Sequence, residues 1–280
     1  MRCLVVADLH YSLPQFDWLL STAPHFDVVI IAGDALDIGS VVDFHAQIVV
    51  VRKYLARLAE LTRVILCSGN HDLDERDEAG EKISRWISHV DDLGIAHDGE
   101  NLTIGKTYFT ICPWWDGPRV KEQIGKQLAS AATEPHSERW IWIHHAPAAN
   151  SPTSWGGARY FGDAELVQWI EDYKPDMVLS GHVHQSPFVK DGSWFDRLGD
   201  TWVFNVGQQF GRPPAHIMLD LDNEKAYWFS AAGEQSIDLG RPLQRPADTI
   251  EAFPEWLIAV SQAAVQAAGP IPATQRPETG

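Results

Sequence analysis

Five unbroken apolar runs punctuate the chain, and each is cut short by a cluster of polar residues. Arg2 to Ala7 ends in Asp8-Leu9-His10, Asp27 to Ala32 breaks at Gly33 and delivers Asp34 and Asp37, and Val64 to Cys67 opens into Ser68-Gly69-Asn70-His71-Asp72. Trp140 to Ile143 ends in His144-His145-Ala146-Pro147, and Pro175 to Ser180 leads into Gly181-His182-Val183-His184. A short apolar run without alternation predicts a strand covered on both faces. Loops at the carboxyl ends of such strands are where open α/β sheets place their chemistry.

Between the runs the period changes. Val41, Phe44, Ile48, Val51, Leu55 and Leu58 recur at steps of three and four, which predicts one long amphipathic helix from Val41 to Leu61. Strand, helix, strand in that order is the crossover unit of a parallel sheet. Further helices are expected from Pro14 to Ser21, Glu81 to Val90, Arg119 to Ala132, and from an Asp163 cap to Tyr173. Leu102 to Ile104 and Tyr108 to Ile111 predict a hairpin turning at Gly105-Lys106. The loop from Ala148 to Gly162 is long enough for a substrate-facing lid. Past His184 come Thr201 to Val206, His216 to Leu221 and Lys225 to Ser230, which suggest antiparallel meander strands extending a second sheet. This organisation predicts a catalytic domain over residues 1–240. A Pro/Ala-rich extension, 241–280, should carry one short helix, Trp256 to Ala267, and a disordered last ten residues.

Composition narrows the class. With 280 residues, 45% of them hydrophobic, the chain can bury one large core. A formal charge of −16 argues against an extended nucleic-acid surface, because phosphate backbones are held chiefly by Lys and Arg. Short DNA or RNA ends held through metal stay open. Cys3, Cys67 and Cys112 each lie in an apolar run without paired ligand spacing, the pattern of buried free thiols in a reducing cytoplasm. The N-terminal apolar stretch is too short for a signal-peptide core, and no run approaches the roughly 20 residues of a membrane span.

The chemistry lies in the strand ends. Asp8 and His10, Asp34, Asn70 and His71, His144, and His182 with His184 all emerge from predicted central strands. One such residue alone reads as structural. Gathered in one cavity, unpaired carboxylates and imidazoles would each cost several kcal/mol to bury, and bound cations would relieve that cost by using them as ligands.

These motifs, Asp8-x-His10, Gly33-Asp34-x-x-Asp37, Gly69-Asn70-His71-Asp72, His144-His145-x-Pro147 and Gly181-His182-x-His184, resemble in content and order the calcineurin-like metallophosphoesterase superfamily over residues 1 to 210. The resemblance implies an α/β four-layer sandwich of two mixed β-sheets flanked by helices. It also implies two divalent transition-metal ions (Mn, Fe, Zn or Ni): Asp8, His10 and His184 on the first, Asn70, His144 and His182 on the second, and Asp34 bridging. Taking His144 rather than His145 follows the usual placement of the first His in that block, which leaves His145 either supporting the ligands from behind or facing substrate. His71 is the implied general acid, and Asp37 either orients it or serves the turn; Asp72 is expected to stabilise its own turn. The implied activity is hydrolysis of a phosphodiester or phosphomonoester of a small organic molecule by metal-bridged hydroxide, with His71 assisting the leaving group. A metal-dependent nuclease and a non-catalytic binding scaffold are the alternatives. Ile38 after Asp37, where protein phosphatases usually place Arg, counts against that branch. Arg159 and Arg212 are the candidate phosphate ligands or else surface residues. Trp115 and neighbouring aromatics either contact a ring-bearing substrate group or pack on each other. Protein partners are not legible.

Overall fold

The computed structural model describes residues 1–134, 138–250 and 252–260. Three apolar runs form the parallel strands β1 (Arg2–Val6), β2 (Val28–Ala32) and β3 (Arg63–Cys67). A small hairpin follows, β4 (Glu75–Arg76) with β5 (Lys82–Ile83), and β6 (Ala96–His97) then joins the far edge of β3 in parallel. The second sheet comprises β7 (Asn101–Ile104), β8 (Thr107–Ile111), β9 (Arg139–Ile143), β10 (Met177–Ser180), β11 (Phe195–Leu198) and β12 (Thr201–Asn205). Its order is β11-β12-β10-β9-β8-β7. The chain then returns to the first sheet through antiparallel β13 (His216–Asp220), β14 (Lys225–Ser230), β15 (Gly233–Asp238) and β16 (Asp248–Thr249), giving β16-β15-β14-β13-β1-β2-β3-β6.

Side-chain parity along the strands explains the layers. Cys3, Val5, Ile30, Ile141, Ile143 and Leu179 point into the core between the sheets. Leu4, Val6, Val29 and Ile31 point out to the helices α1 (Leu13–Thr22) and α2 (Phe44–Leu61). On the other side Trp140, Trp142 and Val178 face α3 (Pro118–Ala131) and α4 (Ala164–Tyr173). The result is the expected four-layer α/β sandwich of two mixed sheets.

Several local expectations are corrected. The long helix begins at Phe44, because the Asp43 carboxylate accepts the Ala46 N–H and caps it there, leaving Val41 fully exposed. The segment Glu81 to Val90 is not one helix: Lys82–Ile83 pairs into the small hairpin, the Asp74 carboxylate takes the Arg85 and Trp86 N–H groups, and 3₁₀ turns follow over Ile87–Leu93. The late strands do not form one meander on the second sheet, since β12 runs parallel to β10 there while β13 and β14 belong to the first sheet. Residues 255–260 are helical, and Leu257 and Val260 are buried against the α1–α2 layer. The continuation of that helix to Ala267 and the expected disorder of the last ten residues lie outside the described residues.

Candidate metal centre

The parallel register sets the carboxyl ends of β1, β2 and β3 side by side, and those of β9 and β10 likewise. Their five loops converge where the two sheets meet. Several donor residues sit in left-handed backbone: Asp8 (φ 54°), His10 (42°), Asp34 (55°) and His182 (67°). Strain of this kind in non-glycine residues gathers at functional sites. Gly33 (φ 93°) is required twice over, because a Cβ there would also lie 2.2 Å from His145 Nδ1. At Gly69 a Cβ would come within 2.2 Å of Asp34 Oδ1.

Two donor groups share Asp34. Asp8, His10, Asp34 and His184 form the first: His184 Nε2 lies 3.2 Å from Asp8 Oδ1, and the Nε2 atoms of His10 and His184 face each other at 3.1 Å. Asp34, His145 and His182 form the second, with His145 Nε2 3.1 Å from Asp34 Oδ2. Asn70 joins it through Oδ1, 2.9 Å from His182 Nδ1. Asp8 and Asp34 are buried.

His145 thus stands where His144 was expected. Strand parity is the reason: Ile141, Ile143 and His145 fall on the inter-sheet side, whereas His144 follows Trp142 toward the helices. His144 donates Nδ1–H to the Ala146 carbonyl at 2.9 Å, and its Nε2 lies 3.5 Å from Asp163 Oδ2. His145 donates Nδ1–H to the Ala32 carbonyl at 2.7 Å, which aims Nε2 at the Asp34 carboxylate.

The donors bear on one another electrostatically. Burial disfavours a charge on His145, yet the Asp34 carboxylate, aided by Asp8 and the bond to Ala32, outweighs burial and lifts the imidazole to about 10. Against its own burial, the His145 charge holds Asp34 well below the usual carboxylate range. His182 is pushed down to about 4, since burial and the His145 charge both oppose a second imidazolium. Burial lowers His10 too, while on His184 burial is outweighed by the hydrogen bond and charge of Asp8 together with the charge of Asp34, which raise it. Cations would replace these shared protons with coordinate bonds. Buried imidazole nitrogens, buried carboxylates and an amide oxygen fit a mixed N/O dinuclear site.

Around this cluster the supports are explicit. Asp72 Oδ2 accepts the N–H groups of Asp34 and Gly69, both at 2.8 Å, and its Oδ1 accepts that of Leu36 at 2.9 Å, so one carboxylate ties two donor loops together. Burial and the Asp34 charge raise it to about 7. His71 donates its backbone N–H to Asp34 Oδ1 at 2.7 Å. Its ring stands at the mouth, centroid 4.4 Å from that of His10, with Nδ1 3.4 Å from Asp37 Oδ1.

The remaining candidates lie farther out. Trp115 donates Nε1–H to Asp163 at 2.9 Å and lines a cavity that His182 also lines. Arg159 is exposed and stacks on Phe161, and Arg212 is exposed; among the described residues neither bonds to the cluster. The 148–162 loop, expected as a substrate-facing lid, is anchored over its middle: Ser151, Thr153 and Ser154 are buried, and the Thr153 carbonyl accepts Asn205 Nδ2–H at 2.7 Å. Trp114, one of the loop aromatics expected either to stack on a substrate ring or to pack on each other, has its ring centroid 5.1 Å from His182 and 5.6 Å from His145. Sequence reading missed Gln208, whose amide donates to the Asp8 carbonyl at 3.3 Å. Gln208 follows β12 without a distinctive motif.

Comparison with known proteins agrees with this geometry. A family model described as calcineurin-like phosphoesterase matches residues 1–186. Among solved structures, TT1561 of Thermus thermophilus aligns with a TM-score of 0.54 and 13% identity, covering 85% of this chain and 98% of its own. Purple acid phosphatase PPD1 from yellow lupin (Lupinus luteus) seeds aligns with a TM-score of 0.52 and 14% identity, covering 86% of this chain and 52% of its own. At such identities the likeness is one of fold. No curated protein matches the sequence.

Proposed function

The chain belongs to the calcineurin-like phosphoesterase family, and on that premise we propose that it is a metal-dependent phosphoric ester hydrolase acting on a phosphodiester or phosphomonoester of a small organic molecule. The observation that carries this reading is the pair of donor groups joined through Asp34. Asp8, His10, His184 and Asp34 would hold one cation, and Asp34, Asn70, His145 and His182 the other, with Mn, Fe, Zn or Ni suited to such donors. When bound, the cations supply Lewis acidity to the phosphoryl oxygens and to the attacking water.

The chain's own residues do the rest. His71 is fixed at the mouth by its backbone bond to Asp34, and Asp37 faces its Nδ1 within ion-pair reach. That side leaves Nε2 free to hand a proton to the departing alkoxide. Asp37 is itself held by Gln47, which accepts its N–H at 2.9 Å and donates to its carbonyl at 3.0 Å. The formal charge of −16 speaks against a polynucleotide substrate, and the complete donor set against a scaffold without chemistry. Three buried thiols without disulfide partners support a cytoplasmic location. Among the described residues no helix is long and apolar enough to cross a membrane.

The test is hydrolysis by Mn-reconstituted protein of bis-p-nitrophenyl phosphate, the p-nitrophenyl monoester and an alkyl ester. Asp34→Asn should abolish turnover and lose metal. His71→Ala should keep two metals and lose about 10²- to 10⁴-fold on the alkyl ester, whose leaving group needs a proton, but far less on p-nitrophenyl esters, whose leaving group does not. Two tightly bound metals with no ester turnover would instead favour a binding scaffold, and salt-sensitive cleavage of polynucleotide a nuclease.

A further inference from the structure

Beside the donor cluster lies a cavity of about 380 Å³ walled by Trp114, Trp115 and Phe161, with His182 at its inner end. Resting on the phosphoesterase reading above, we infer that this cavity receives the organic part of the ester, and that this part is ring-bearing and carries no second anionic group.

Position comes first. His182 belongs both to the second donor group and to the cavity lining, and the Trp114 ring lies 5.1 Å from His182 and 5.6 Å from His145. A phosphoryl group at the donors therefore has this cavity as its neighbour. Size comes second: small-molecule pockets run from about 300 to 1,000 Å³, so this one suits a single ring-bearing group and not a polymer.

Charge then selects among such groups. Asp163 and Glu165 are the charged residues of the lining, and both are acidic. Asp163 is already engaged, accepting Trp115 Nε1–H and capping α4 through the Glu165 and Leu166 N–H groups. Glu165 is bound by Lys121 Nζ at 2.8 Å, and that ammonium also lies 5.5 Å from the Trp115 ring centroid. Arg159 sits outside, stacked on Phe161 at 4.5 Å. A phosphate or carboxylate pushed into the cavity would meet the Asp163 carboxylate, a Glu165 already paired with Lys121, and apolar rings, whereas an uncharged ring would meet surfaces suited to it.

The walls are also set in advance. Trp114 N–H is held by Ser68 Oγ at 2.8 Å, Ser68 N–H by Asp98 at 2.8 Å, and Phe161 N–H by the Ser154 carbonyl at 2.9 Å. Binding a ring here spends little on ordering the site.

The experiment is calorimetric binding of phenylphosphonate, methylphosphonate and 4-carboxyphenylphosphonate to Mn-loaded protein, which reads affinity without turnover. Phenylphosphonate should bind about tenfold or more tightly than methylphosphonate, as burial of one ring predicts. Phe161→Ala, at an exposed position, and Trp115→Ala should each bring that ratio within about threefold. The 4-carboxyl group should cost about tenfold relative to phenyl, and Glu165→Gln should recover part of it. Equal binding of phenyl and methyl probes, a ratio that survives both substitutions, or undiminished binding of the carboxyphenyl probe overturns the inference while leaving the phosphoesterase reading intact. If no phosphonate binds, the reading falls and the inference with it.

Discussion

At the scale of single residues, the choice between His144 and His145 shows how much a strand's alternation decides. Both are buried imidazoles at the end of one strand, and their identities are interchangeable on paper. Counting back along β9 separates them, because Ile141 and Ile143 share the inter-sheet face with His145. The parity was legible in the sequence; what was not legible was which face of that strand met the other sheet. Consequently His145→Ala should cost one of two bound Mn ions, read by metal analysis after dialysis. His144→Ala should keep both ions and lose stability instead, about 2 kcal/mol, through its packing against Trp169 and its bond to Ala146. Retention of two ions by His145→Ala would return the ligand role to His144. The other donors were recognisable for a different reason: Asp8, His10, Asp34, Asn70, His182 and His184 each lie within five residues of an apolar run's end, and at Gly69 the missing Cβ leaves room for Asp34 to approach.

At the scale of elements, the parallel core strands followed from unbroken apolar runs and α2 from its period, since buried faces dictate both patterns. Where polar side chains rather than burial set the backbone, periodicity failed. Asp43 capped α2 later than its apolar stripe suggested, and Asp74 diverted 81–90 into a hairpin and 3₁₀ turns. Asp72 is the same kind of residue placed at the site, and its three backbone acceptor bonds join the loops after β2 and β3. Asp72→Ala would leave three N–H groups without that acceptor, at a cost of about 2 to 5 kcal/mol by denaturant unfolding of the metal-free protein. Because those loops carry Asp34 and Asn70, Mn affinity should fall as well, by about tenfold or more. A loss of stability with Mn affinity unchanged would show that Asp72 serves the turn alone.

At the scale of the whole molecule, membership of the two sheets could not be read from local pattern, because β12 and β13 look alike in sequence yet lie in different sheets. His216 at the start of β13 marks where the returning chain joins the first sheet. It is enclosed by Trp18 from α1 at 4.6 Å and Phe229 from β14 at 5.1 Å, and it donates Nδ1–H to the Pro214 carbonyl. Burial pushes it down to about 4. The folded state therefore refuses a proton that the unfolded chain accepts below about 6.5, so stability is full above that pH and is lost as pH falls toward 4. Integrated across that window the loss is about 3 kcal/mol. Asp72 and Asp98, raised by burial to about 7 and about 6, act in the opposite sense, favouring the fold at low pH and losing that contribution as pH rises through those values. The net profile of the wild type alone thus mixes both slopes, and a difference measurement separates them. His216→Phe keeps an aromatic ring between Trp18 and Phe229 but removes the titrating group. Unfolding free energies of wild type minus variant, measured on metal-free protein, should fall by about 3 kcal/mol between pH 7 and pH 4. Parallel curves would mean that His216 takes up its proton in the folded state, and that the seam between α1 and β13 admits water.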